Sequence, residues 1–207
     1  MKADAVHTLV NQFQVEAIQI EPNGNIPNSE LPLLIYRRAV RLQSDDPASV
    51  FEGLFKTNSW TDSWRNGIYD YHHYHSTAHE VLGIYQGNAT VNFGGDGGPI
   101  TKVWAGDVVI IPAGVSHKNL GASPDFGVVG AYPEGQEVDM HYGKPDEREK
   151  AEANISKLPN PESDPVQGSS GPVLQHWQIS EARPAAVRRP RFARRVGARG
   201  RGRPYCR

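Results

Sequence analysis

Apolar and polar residues alternate in VEAIQI at 15–20, and the Pro-, Asn- and Gly-rich PNGNIPNSELP follows, which predicts a short strand and then a loop. LLIYRRAV at 33–40 suits a second strand. Asp46-Pro47 predicts a helix start, with Asp46 as N-cap and Pro47 in the first turn. Val50, Phe51, Leu54 and Phe55 then share one helical face, and Asn58 ends it. From Trp64 to Tyr132 the pattern becomes short strands between turns, at 67–75, 80–86, 89–93, 101–104, 107–111, 115–120 and 126–132. GGDGG at 94–98 is a turn cluster that needs positive φ. A short helix is expected at 145–153, and GPVLQHWQI at 171–179 reads as a last docking segment. No internal repeat is present. Many short, closely spaced strands predict an all-β sandwich or barrel with a few short flanking helices.

Composition narrows this. The 207 residues are 38% hydrophobic, enough for one core with polar flanks. The lone Cys206 excludes a disulfide scaffold and a Cys-rich zinc module. No run approaches the roughly 18 apolar residues of a membrane span. The start, MKADAVHTLVNQFQ, does not read as a secretory signal, so a cytoplasmic protein is expected.

The net charge of −1 hides an uneven distribution. Residues 1–182 hold 12 Lys and Arg against 23 Asp and Glu, and residues 183–207 hold 10 Arg and no acid. Such a tail suits nucleic acid by counterion release, yet its Arg, Gly, Ala, Pro and Val content reads better as a disordered or frame-shifted end. Nucleic acid and membrane are therefore not expected partners. Four stretches follow: an N-terminal strand-and-loop extension at 1–45, a barrel core at 46–140, a polar extension at 141–182 and the basic tail at 183–207.

The chemistry concentrates in Gly67–Gly87 and Gly106–His117. His73 and His75 are two apart, so on a strand both imidazoles face one side. Glu80 opens the returning strand, where its carboxylate can close toward the same point. GDVVIIPAGVSH then places one more histidine, His117, just after a Pro-x-Gly turn. Imidazoles with a carboxylate suit a divalent transition metal such as Fe, Mn, Ni or Zn and leave positions open for substrate.

These stretches resemble the cupins. The first cupin motif, G-x5-H-x-H-x(3,4)-E-x6-G, is met in full by Gly67, His73, His75, Glu80 and Gly87. The second, G-x5-P-x-G-x2-H-x3-N, is met by Gly106, Pro112, Gly114 and His117, but position 121 is Gly rather than Asn. HYHSTAHEVLG and PAGVSHK are similar to a largely uncharacterised subfamily of single-domain cupins. The resemblance implies an antiparallel jelly-roll barrel with one metal held in its mouth by His73, His75, Glu80 and His117. It also implies a small-molecule ligand and a homodimer, to which residues 15–20 could add a strand.

Strand parity supplies Tyr69, Tyr71, Leu82, Asn119, Phe126 and Tyr132 as pocket candidates. His79, although next to Glu80 it should face the other side of the strand, is kept beside them as a pocket candidate. Tyr71 and Glu134 are the candidates for proton transfer. His72 should face away from the metal, and Trp60, Trp64 and Trp104 read as packing residues. The set favours oxygen-dependent, dioxygenase-like oxidation, with isomerase or lyase chemistry, or a non-catalytic binding protein, as alternatives.

Overall fold

The computed structural model describes residues 8–178, so the basic segment 183–207 and the end of the 171–179 segment lie outside the described residues. In chain order the elements are β1 (Gln14–Ile20), β2 (Ser29–Arg37), α1 (Pro47–Thr57), β3 (Trp60–Asn66), β4 (Glu80–Gln86) and β5 (Asn88–Phe93). There follow β6 (Ile100–Trp104), β7 (Val108–Ile111), β8 (His117–Ala122), β9 (Gly127–Pro133), α2 (Arg148–Ile155) and α3 (Pro172–His176). Six strands form one sheet in the order β1-β2-β7-β4-β9-β3, and β6-β5-β8 form a second. Every strand pair among the described residues is antiparallel, and the fold is an all-β jelly roll with a few short helices.

The large sheet is covered on both faces, which is why its inner strands read as continuous apolar runs. On β2, Leu33 and Ile35 join Leu82, Ile84, Val91, Phe93, Val109 and Val128 between the two sheets. The alternate residues Leu34 and Tyr36 join Val81, Ile110 and Val129 against Phe51, Leu54 and Phe55 of α1. Fully burying one such side chain contributes about 1.5–3 kcal/mol. Gly83 lets α1 approach, since a Cβ there would overlap the Phe51 ring. Val166, Val173 and Trp177 belong to the same outer cluster, so the polar extension docks on the barrel. The N-terminal stretch is likewise part of the sheet, because β2 pairs β7.

Three local readings change. Residues 67–75 are not a strand; they are held by isolated bridges from His73 to His117 and from Tyr74 to His141. The strand lies earlier, at β3, hidden in the polar WTDSWRN by a register shift between Thr61 and Trp64 and positive φ at Ser59 and Asp62. Asp46 precedes α1 but makes no capping hydrogen bond, because its carboxylate is taken by the Arg65 guanidinium at 2.9 Å.

Candidate metal centre

Two bridges position the histidines. The His73 N–H donates to His117 O at 3.3 Å, and the His117 N–H donates back to His73 O at 3.0 Å. Tyr74 exchanges hydrogen bonds with His141 in the same way on the other side. The extended backbone thus keeps the i, i+2 rule without a long ladder. His73 and His75 face the cavity. Tyr74 turns away to stack on His141, and His72 contacts Ser116 Oγ and Asp96. The Gly114 N–H donates to His75 O at 2.7 Å, tying the Pro-x-Gly turn to the same segment.

His73, His75, Glu80 and His117 are all buried and line one cavity of about 310 Å³. Glu80 Oε2 lies 3.3 Å from His117 Nε2 and 3.7 Å from His75 Nε2, yet it makes no hydrogen bond. A buried carboxylate oxygen without a partner is costly. Two ligands of one ion stand about 3.0–3.4 Å apart when each metal–ligand distance is about 2.1 Å. The Glu80–His117 separation therefore fits, and the His75 approach is slightly long. His73 packs on His117 instead, at 4.1 Å between ring centroids. Among the described residues no group of three or more His, Cys, Asp or Glu is closed tightly enough to hold an ion as it stands, so closing this set takes side-chain rotation.

The ring tautomers favour ligation. Nδ1 of His75 donates to the Asp139 carbonyl, and Nδ1 of His73 donates to the Tyr71 carbonyl at 3.3 Å. Carbonyls only accept, so in the neutral ring each Nε2 keeps its lone pair for the cavity. Burial and the neighbouring His117 push His73 down to about 3, which keeps it neutral. Burial alone would raise Glu80, but His117 and His75 overcome it and hold the carboxyl below its ordinary range. His75 moves up despite burial, because Glu80 and the Asp139 carbonyl favour its charged form.

Asp139 was not foreseen. Its Oδ1 accepts from the Ser76 N–H at 2.6 Å, while Oδ2 meets the Ser76 hydroxyl and lies 2.8 Å from His141 Nε2. This clamp fixes the carbonyl that orients His75. Spacing could not have found it, since Asp139 lies 63 residues from Ser76 in the chain.

Leu82, Tyr69 and Tyr132 line the cavity, and Trp64, Ile68 and Met140 join them. Trp64 is more than packing: its indole N–H donates to the Tyr132 hydroxyl at 2.9 Å. Gly130 makes room, because a Cβ there would overlap the Trp64 ring.

Other candidates lie elsewhere. Tyr71 is 41% exposed and stacks outside Tyr69 rather than lining the cavity. Glu134 is exposed just beyond the end of β9 and lines a different cavity, beside Pro159–Ser163. His79 is buried against Trp177 and lines a different cavity, its Nδ1 accepting from the Ala113 N–H at 3.0 Å. Asn119 turns its carbonyl oxygen to the Gly121 N–H, and Phe126 packs at the edge of the core between the sheets.

No protein-family model matches the chain. The uncharacterised protein YjlB of Bacillus subtilis is 42% identical over 156 residues, covering 75% of this chain and 92% of its own. The epimerase RmlC of Legionella pneumophila is 15% identical with a TM-score of 0.33, over 60% of this chain and 74% of that one. An 11S allergen of Cocos nucifera is 17% identical with a TM-score of 0.32, over 44% of this chain and only 31% of the allergen. Among the described residues no helix is long and apolar enough to cross a membrane.

Proposed function

The chain belongs to the family of Bacillus subtilis YjlB, and from its two cupin-like motifs and the buried ligand set we propose a metal-dependent enzyme that acts on a small molecule at the barrel mouth. His73, His75, Glu80 and His117 hold one divalent Fe, Mn, Ni or Zn ion. The observation that carries this reading is the buried Glu80 oxygen, which faces two imidazole nitrogens and makes no hydrogen bond. When bound, such an ion supplies Lewis acidity toward a substrate oxygen and, as Fe or Ni, a place for dioxygen. Among these chemistries we favour oxygen-dependent oxidation.

The chain's own residues do the rest. Ile68, Leu82 and Met140 wall the cavity with apolar surface. The Trp64 N–H occupies an acceptor position on the Tyr132 hydroxyl and turns its proton toward Glu80 and the cavity, where a substrate oxygen can compete for it. Burial and the neighbouring Glu80 raise the Tyr132 pKa, so the phenol keeps that proton near substrate. This placement favours isomerase or lyase chemistry as the second reading, with Tyr132 as the proton-transfer group.

Oxygen uptake by iron- or nickel-loaded protein, with candidate substrates, separates the two. Substrate-dependent uptake supports oxidation; turnover without uptake, abolished in Tyr132→Phe, supports the second reading. The open outer edge of β1, at the end of its sheet, supports a homodimer, to be checked by light scattering.

A further inference from the structure

Resting on the metal-centre reading above, we propose that the ligand is a neutral molecule with a flat unsaturated ring and an oxygen at its inner end, a phenol or an enol. A carboxylate-bearing acid or a phosphorylated sugar does not fit the lining.

The walls carry the argument. An aromatic face runs outward from the ligand set: Tyr69 meets His73 edge-on at 5.1 Å, stacks on Tyr71 at 4.9 Å, and Tyr71 leans on Tyr142 at 5.9 Å. Tyr69, Tyr71 and Tyr142 are 43%, 41% and 46% exposed, so their ring surfaces are not spent on the core. Of the three tyrosines Tyr69 lines the cavity itself, together with Trp64, Ile68, Leu82 and Met140, and Tyr71 and Tyr142 carry the aromatic face on outside it. Flat apolar surface of this kind recognises a ring by offset stacking and edge contact.

Charge excludes the other classes. Arg65 is the cation among the described residues that line the cavity, and its guanidinium is consumed by Glu52 and Asp46 in four hydrogen bonds of 2.6–2.9 Å. No free cation there can meet a carboxylate or phosphate beyond the metal itself. Lys144 Nζ stands outside that lining, at the rim, 5.4 Å from the Tyr142 ring, where it puts like charge in the path of a cationic ligand without reaching the inner cavity. Size allows a ring with substituents: 310 Å³ is the space of about ten water molecules at about 30 Å³ each. The Tyr132 hydroxyl, oriented by Trp64, remains to donate to the inner oxygen.

The test uses the full chain loaded with zinc and titrated calorimetrically with four probes: catechol, cyclohexane-1,2-diol, malonate and tetramethylammonium. Zinc content is measured on every sample. Catechol should bind about tenfold more tightly than the diol, the upper end of what ring contact adds. It should also exceed malonate and tetramethylammonium. Tyr69→Phe should keep the preference and Tyr69→Ala should lose it, with unchanged circular dichroism. Equal binding of catechol and diol, or a preference for malonate or tetramethylammonium, overturns the inference. Absence of zinc in the wild-type chain defeats the metal reading separately. Catechol and diol are then compared on the unloaded chain, where a catechol preference supports the ring-binding wall and equal binding overturns it.

Discussion

His73 and His117 face each other as a hydrogen-bonded backbone pair, with their rings 4.1 Å apart. Two stretches more than 40 residues apart therefore move as one, and the turn before His117 controls both. Gly114, at φ +94°, is the pivot: its N–H holds His75 O, and a Cβ would overlap the Asn28 carbonyl. Gly114→Ala should lower unfolding stability by about 1–3 kcal/mol and weaken metal binding as well. Denaturant melts and a metal titration on the same variant check this.

Asp139 acts on the metal through His75. Asp139→Ala removes the carboxylate that Ser76 and His141 hold, and frees the carbonyl that orients the ring. Metal affinity should fall about 10–100-fold, the usual loss for a residue that orients a ligand from behind. Competition with a chromophoric chelator measures it. Unchanged affinity would show that His75 keeps its orientation without the clamp.

Gly130→Ala should drive the Trp64 ring off β9, break its bond to Tyr132, and cost about 1–3 kcal/mol from overpacking. The near-ultraviolet dichroism of the tryptophan should change while far-ultraviolet strand signal stays. Activity should fall with it, since Tyr132 loses its orientation.

Much of this was legible in the chain, and the misses share a cause. The two-His spacing and Glu80 point to one place because extended backbone imposes parity even where a ladder is absent. The apolar runs at 33–36 and 108–111 announce strands because both sheet faces are covered. β3 escaped, since a bulge in a polar segment erases alternation. Tyr71 shares parity with His73 but sits one residue pair too far out, and parity says nothing about depth along a barrel. Asp139, Met140 and the second role of Trp64 depend on contacts between distant stretches, which no local pattern encodes.

Removing the metal should destabilise the protein without unfolding it, because neither apolar cluster includes a ligand residue. At a metal concentration 100 times its dissociation constant the added stability is about 2.7 kcal/mol. Ligand imidazoles must be neutral: His73, held near 3, stays so, whereas His75, whose charged form Glu80 favours, takes up a proton first. Occupancy should therefore begin to fall above the ordinary imidazole value of about 6.5 and go on falling below it. Thermal melts with and without chelator at two pH values, one on each side, should show a gap that narrows in acid.

The most direct measurement is metal content of the full chain by inductively coupled plasma mass spectrometry, beside His75→Ala and Glu80→Ala. The account predicts near-stoichiometric Fe, Mn, Ni or Zn in the wild type and its loss in both variants, with the strand signal retained. A wild-type protein that holds no metal after reloading, or variants that hold as much as the wild type, would contradict it.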